Sequence, residues 1–199
     1  MANPAIPPGS LILVTGVNGL IASHVADQCL AAGYRVRGTT RDKQKNAWIL
    51  DLFSSRYGSD AFELVEVKDM TKDAAFDEAV KECSGIAHIA SNMSFSNVVD
   101  EVVGDAVQGA LSVLESASKE STVKRFVFTS SSTAATLPKP GQKFTVYKDS
   151  WNDEAIKLAH EKNPDPFIVY AASKTQAERE VWNWAEKNKP SFIVNAGVC

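Results

Sequence analysis

The sequence has few cysteines and no long uninterrupted apolar stretch. Three cysteines occur in 199 residues, Cys29, Cys83 and Cys199, and none belongs to a C-x-x-C pair. An odd count without that spacing argues against a disulfide framework or a zinc site and fits a reducing compartment. Threonine, asparagine and glycine interrupt the apolar runs, so we predict no membrane span.

The chain also lacks a basic cluster and a recognisable leader. It carries 21 Lys and Arg against 24 Asp and Glu, a formal net charge of −3. This balance predicts neither a nucleic acid partner nor an anionic membrane partner. The proline-rich start has no positive region of the kind that begins a signal peptide. We therefore expect a cytoplasmic protein, and the sequence leaves its oligomeric state open.

What the chain does contain is a regular alternation of strand and helix patterns. We predict strands at residues 11–14, 34–41, 62–67, 86–89, 125–129 and 191–196. We predict helices at residues 20–32, 43–57, 72–83, 98–119 and 153–160, and a last helix that runs to about residue 187. This order indicates an α/β fold: a doubly wound parallel (Rossmann) sheet of about six strands, in order 3-2-1-4-5-6, with helices on both faces.

A glycine turn follows the first predicted strand. Gly16 permits a tight turn, Gly19 lets the backbone approach a pyrophosphate, and Ala22 is small enough for close packing of helix on strand. The following helix start offers free N–H groups and a positive dipole end. We expect the turn to bind a dinucleotide through Thr15, Gly16, Asn18, Gly19, Leu20 and Ile21.

The end of the second strand predicts which dinucleotide is preferred. NAD sites place a carboxylate at this position, whereas here Thr40 stands at the tip and Arg41 follows. A guanidinium suits a phosphate, so we predict NADP(H), with Arg37 and Lys45 as further sources of positive charge. Asp42 offers a competing contact to a ribose hydroxyl, although its place after Arg41 favours a role as a helix cap.

Two further strand ends should contribute to the same site. Asp69 and Met70 follow the third strand, where an adenine edge would lie. Ala90 and Ser91 follow the fourth strand and should line the ribose and phosphate side.

A tyrosine and a lysine on the last long helix suggest acid–base chemistry. Tyr170 and Lys174 are four positions apart and should share one helix face. An ammonium group nearby favours the ionised form of a phenol, which makes the pair a plausible proton donor. The fifth strand ends in Ser130, Ser131 and Ser132, and ligands of such sheets bind outside the carboxyl ends of the strands.

Together these motifs resemble a known superfamily. T-G-x-x-G-x-x-A at residues 15–22, V-R-x-T-x-R-D at 36–42, F-T-S-S at 128–131 and Y-x-x-S-K at 170–174 look like the extended short-chain dehydrogenase/reductases, the NAD-dependent epimerase/dehydratase superfamily. Within it the chain most resembles the dihydroflavonol-reductase-like branch. Residues 169–178 are most similar to fungal and yeast NADPH-dependent aldehyde and ketone reductases.

The resemblance implies a function and three catalytic residues. It implies reduction of a small-molecule carbonyl, an aldehyde, ketone or ketoester, by NADPH, without a metal. Tyr170 would give a proton to the carbonyl oxygen, Lys174 would stabilise the phenolate and bond the nicotinamide ribose, and Ser131 would polarise the carbonyl.

The chain departs from the family pattern in two ways. Ala106 stands where many members have an asparagine, so a water-relay role for that asparagine does not carry over. Family members also continue into a substrate-binding domain, which leads us to expect that residues 1–199 are the cofactor domain alone. Two alternatives stay open: a truncated, non-catalytic NADP(H)-binding module, and a nucleotide-sugar epimerase or dehydratase, which Thr40 disfavours.

Overall fold

The computed structural model describes residues 4–198 and contains one six-stranded parallel sheet. The strands are β1 Leu11–Val14, β2 Arg35–Thr40, β3 Phe62–Glu66, β4 Cys83–His88, β5 Arg125–Ser130 and β6 Ile193–Val198. The helices are α1 Leu20–Ala31, α2 Trp48–Tyr57, α3 Val99–Lys119, α4 Asp153–Ala159 and α5 Pro166–Asn188. Among residues 4–198, none of them has both the length and the apolar character needed to cross a bilayer.

The strand order confirms the predicted doubly wound topology. It runs β3-β2-β1-β4-β5-β6, and every neighbouring pair is parallel. Alternate residues of β1 pack in two different hydrophobic clusters, because successive side chains of a strand point to opposite faces of the sheet. Leu11 and Leu13 pack in the cluster shared with α3 and α5, whereas Ile12 and Val14 pack with α1 and α2. The sheet is therefore buried on both sides at its centre.

One face of the sheet remains open at β5 and β6. Val127 of β5 and Ile193 of β6 are both exposed, and the register places Val127 opposite the exposed Asn195. No helix of the described residues covers this face. The open area is what distinguishes this edge of the sheet from its buried centre.

The predicted helix at residues 72–83 is wrong. These residues form successive turns, and β4 begins at Cys83. Ala74 and Glu82 have left-handed φ values of 59° and 64°, which interrupt a right-handed helix near both of its expected ends. Two apolar residues of this segment, Phe76 and Val80, are nevertheless buried in the core.

Helix α2 begins at Trp48, later than the predicted residue 43. Asp42 Oδ1 accepts a hydrogen bond from Lys45 N at 2.9 Å, and Asn46 Nδ2 donates to Asp42 O at 2.9 Å. Such local side-chain bonds offer the backbone an alternative to helix. Asp42 therefore caps a turn that precedes the helix.

Candidate functional site

The candidate site lies at the carboxyl ends of the central strands. The chain order reverses between β1 and β4, which pair with each other directly. Ligands of doubly wound sheets bind in the crevice at this point. The glycine turn, the end of β4 and the end of β5 all face it.

The glycine turn is shaped by close approaches between backbone segments. Gly16 has a φ of +67°, and a Cβ placed on it would lie 3.2 Å from the Cβ of Ala90. Its N–H donates to Thr39 Oγ1 at 3.1 Å. Helix α1 starts directly afterwards at Leu20, and within residues 4–198 no side chain caps its first turn. The turn thus places a narrow cradle beside a helix start that no described side chain caps, a combination suited to a phosphate.

The residues predicted to contact the dinucleotide from this turn differ in accessibility. Asn18, Gly19, Leu20 and Ile21 are exposed, and Gly16 is half-buried. A ligand can therefore reach each of them directly.

Thr15 occupies a different position from its neighbours. It is fully buried, and its Oγ1 accepts hydrogen bonds from Ile89 N at 2.9 Å and Ala90 N at 3.0 Å. With both acceptor positions used, the hydroxyl donates to Nδ1 of His88 at 3.0 Å. The predicted direct contact is therefore corrected: Thr15 ties the glycine turn to the end of β4, where Ala90 and Ser91 are half-buried.

His88 is a neutral imidazole below the site. The Thr15 bond requires an unprotonated Nδ1, so the tautomer assigned from the network carries its proton on Nε2. Burial, with the positive charge of Lys174 as a second cause, lowers the pKa of His88 to about 3. The imidazole packs among Phe76, Phe126 and Phe128, with ring centroids 6.0–6.4 Å away.

Arg41 and Lys45, the two cations predicted to read the phosphate, follow the end of β2. Arg41 and Lys45 are exposed, and neither side chain has a hydrogen bond or ion pair to another described residue. Thr40 is buried instead, and its Oγ1 accepts from Asn46 Nδ2. Sequence reasoning missed Asn46.

Arg37 does not supply charge to the site, contrary to our prediction. Its Nε donates to Glu63 Oε1 at 2.8 Å, and its guanidinium also donates to the carbonyl oxygens of Ala79 and Lys81. These partners hold the side chain between β2, β3 and the turns before β4. The guanidinium is a structural link there.

Asp69 and Met70 follow β3, as predicted. Asp69 is exposed, and hydrogen bonds from the hydroxyl and N–H of Thr71 lower the pKa of its carboxyl. Met70 lies across α3 at Gly109, where an added Cβ would stand 3.1 Å from Met70 Sδ. The absent side chain at Gly109 therefore makes room for Met70.

Helix α5 carries the predicted acid–base pair. Asp165 caps its start by accepting from Phe167 N at 2.8 Å, and Pro166 is its first residue. Lys174 is buried, and its Nζ donates to the carbonyl oxygen of Thr129 at 2.8 Å. The same ammonium lies 5.2 Å from the centre of the Phe128 ring. Lys174 is thereby fixed between α5 and the end of β5.

Two aromatic rings lie near Tyr170. The ring centres of Phe95 and Phe167 are 5.5 Å and 6.4 Å from that of Tyr170. Phe95 has a left-handed φ of 50° and is half exposed, an uncommon conformation for a bulky residue. Sequence reasoning missed Phe95 because nothing in a loop without periodicity marks one residue as a neighbour of Tyr170.

Ser131 stands at the end of β5, directly before a 3₁₀ turn at Ser132–Ala134. Its Oγ accepts from Thr133 N at 3.2 Å and Thr133 Oγ1 at 2.9 Å. The hydroxyl proton of Ser131 stays available to donate. Asn152 Nδ2 donates to Thr133 O at 2.7 Å and anchors this turn.

The neighbouring serines have other surroundings. Ser130 is buried and donates to the carboxylate of Glu178 on α5, which also accepts from Trp182 Nε1 at 3.3 Å. Ser132 is exposed. Glu178 was missed, although its spacing of four residues from Lys174 places both on one helix face. Helix α5 thus holds two successive β5 residues from adjacent turns.

The sheet order, the glycine turn at its switch point and the pair on α5 define a Rossmann-like α/β domain. Residues 12–196 match the NAD dependent epimerase/dehydratase family. The chain belongs to this family.

Fungal reductases are among the relatives. The chain is 47% identical to aldehyde reductase 2 of Sporidiobolus salmonicolor, over 98% of this chain and 58% of that protein. It is 41% identical to a ketoreductase of Penicillium rubens, over 97% of this chain and 57% of that protein. The chain therefore spans somewhat more than half the length of these relatives.

A solved structure of an NADPH complex has the same fold. Yeast methylglyoxal/isovaleraldehyde reductase, complexed with NADPH, matches with a TM-score of 0.80 at 28% identity. The match covers 94% of this chain and 56% of that one. All three of these relatives are named as reductases.

Proposed function

We propose that this chain carries the NADP(H) site and the catalytic groups of a carbonyl reductase acting on an aldehyde, ketone or ketoester. The observation that carries the proposal is the arrangement of α5 against β5. Tyr170 and Lys174 lie one turn apart, Lys174 donates a hydrogen bond to Thr129 in β5, and Ser131 directly follows the last residue of that strand. Aldehyde and ketone reduction by named relatives supports the same chemistry.

The residues present fit a dinucleotide. The cradle at Gly16 would be narrowed by any side chain, because its Cβ would stand 3.2 Å from Ala90. Arg41 and Lys45 supply exposed positive charge beside it, as a 2′-phosphate requires. When bound, the reduced nicotinamide supplies a hydride.

Three side chains would handle the carbonyl oxygen. Tyr170 would give its phenolic proton to the carbonyl oxygen, which takes up the C=O electron pair when the carbonyl carbon is reduced. The buried ammonium of Lys174 stabilises the phenolate that remains. The free hydroxyl proton of Ser131 polarises the carbonyl beforehand. Phe95 and Phe167 provide apolar surface beside Tyr170 for the substituents of the substrate.

Replacement of the proton donor tests the proposal. We expect Tyr170→Phe to lower carbonyl turnover about a hundredfold or more, in line with the loss of a general acid. The dissociation constant for NADPH should change little. The matched control is Tyr147→Phe, which removes the hydroxyl of an exposed loop tyrosine. Turnover by Tyr170→Phe close to that of the control would refute the role of Tyr170.

The same assay distinguishes the proposed carbonyl reductase from the main alternative, a non-catalytic NADP(H)-binding module. Saturable NADPH binding by the unmodified chain, with no reduction of any carbonyl offered, would favour the non-catalytic binding module. The exposed face of β5 and β6, which no described helix covers, is the observation that supports testing for such a module.

A further inference from the structure

We propose that Asn46 is a positioning residue that holds Arg41 for contact with the 2′-phosphate and thereby sets the preference for NADPH. The inference rests on the proposed role of Arg41 as phosphate reader. It adds a neutral residue, outside the glycine turn and the acid–base set, that decides which dinucleotide is bound.

The side-chain amide of Asn46 bridges the residues on both sides of Arg41. Its Nδ2 donates to Thr40 Oγ1 at 2.9 Å and to Asp42 O at 2.9 Å. One amide group therefore uses both N–H donors on the two neighbours of Arg41. The backbone at Arg41 is held between these two bonds.

The rest of the turn is anchored to the sheet. Thr40 is buried, and its carbonyl oxygen accepts from Val67 N at 2.8 Å. Asp42 Oδ1 accepts from Lys45 N at 2.9 Å. The fixed end of β2 is therefore connected through Asn46 to the tip of the turn.

The side chain of Arg41 has the opposite character. It is exposed and has no hydrogen bond or ion pair within residues 4–198. A guanidinium with a fixed base and an unengaged head loses less freedom on binding than one on a mobile turn. Asn46 is uncharged, so it holds the turn without competing for the guanidinium as a carboxylate would.

The test measures dissociation constants for NADPH and NADH by nucleotide fluorescence on the full chain. We expect Asn46→Ala to raise the NADPH constant roughly twofold to tenfold, the range set by the ordering of one long side chain. The NADH constant should stay unchanged, since NADH has no 2′-phosphate. In an Arg41→Ala background, Asn46→Ala should add little.

Two variants and one control complete the design. Asn46→Gln keeps both N–H donors and should recover part of the lost NADPH affinity. Thr40→Val removes one acceptor of the bridge with nearly the same shape, and it tests the same bond if Asn46→Ala does not fold. The control is Gln44→Ala, because Gln44 is exposed and its side chain makes no hydrogen bond within the described residues. It should bind both nucleotides as the unmodified chain does.

The outcomes separate this inference from the proposed function. If Arg41→Ala weakens NADPH binding but Asn46→Ala and Thr40→Val do not, the positioning role is refuted while Arg41 keeps its own. Equal weakening of NADPH and NADH by Asn46→Ala would make Asn46 a general fold residue and overturn the inference. An unmodified chain that does not prefer NADPH, or an Arg41→Ala variant that still does, would overturn both.

Discussion

Acidification should destabilise this fold through one buried imidazole, His88. Its pKa is lowered from 6.5 to about 3, chiefly by burial and then by the charge of Lys174. Below pH 6.5 His88 is therefore protonated in the unfolded chain but stays neutral in the folded chain down to about pH 3. The free energy of unfolding is greatest above pH 6.5 and falls as the pH drops towards 3. Integrated from pH 7 to pH 5, this single group removes about 2 kcal/mol from the free energy of unfolding.

Few other groups with shifted pKa values titrate in that range. A hydrogen bond from Ser116 lowers the pKa of Asp77, and one from the N–H of Glu82 lowers the pKa of Glu120. Carboxylates shifted in this direction stabilise above their unfolded pKa and lose that contribution only as pH falls through their folded pKa. Their effect thus belongs mainly to lower pH than the window from 7 to 5.

Urea unfolding at several pH values between 7 and 5 measures the effect. The unmodified chain should lose about 2 kcal/mol, and His88→Gln should lose most of this dependence because the titrating group is gone. His24→Gln is the control, since His24 is exposed on α1 and its removal should leave the dependence as it was. A flat profile for the unmodified chain, or an unchanged slope in His88→Gln, would refute the reasoning.

Two glycine substitutions test close approaches near the cofactor site. Gly38→Ala would place its Cβ 2.6 Å from Val17 Cγ1, and we expect overpacking to lower the free energy of unfolding in urea by about 1–3 kcal/mol. Gly109→Ala would displace Met70 and should raise the NADPH dissociation constant in a fluorescence titration. Gly104→Ala is the control for both, because outside the backbone of its own helix turn its Cβ meets no described atom within 4 Å, and alanine favours helix by up to about 1 kcal/mol. Either variant behaving like the control would contradict the corresponding contact.

The sequence was sufficient to predict the sheet and its order. The four apolar residues of β1 lie between polar neighbours and a glycine turn, so both the limits of the strand and its burial follow from local pattern. Repeated strand–helix units then constrain the topology, because crossovers between parallel strands are right-handed. The spacing of Tyr170 and Lys174 on one helix face was equally readable.

Contacts between distant segments could not be predicted. The pattern at residues 72–83 has helical spacing, yet hydrogen bonds from α3 hold it as turns: Ser112 Oγ donates to Lys72 O, and Ser116 Oγ to Asp77. The roles of Arg37 and Phe95 depend on which segments lie beside them in the fold. No local propensity specifies those neighbours.

The local bonds of Asn46 form an intermediate case. Asparagine near the end of a strand favours side-chain bonds to nearby backbone, so a turn before α2 was within reach of sequence reasoning. Only the structure shows that the Asn46 amide donates to both neighbours of Arg41, Thr40 and Asp42.

The central claim is that the described residues support hydride transfer from NADPH to a carbonyl. The most direct measurement incubates the chain with NADPH carrying deuterium at both C4 positions and a panel of aldehydes, ketones and ketoesters, then locates deuterium in the products by mass spectrometry. The account predicts an alcohol with one deuterium on the carbinol carbon, formed by the unmodified chain and by Tyr147→Phe and nearly absent with Tyr170→Phe. Saturable NADPH binding without any deuterated alcohol, or equal label with Tyr170→Phe, would contradict it.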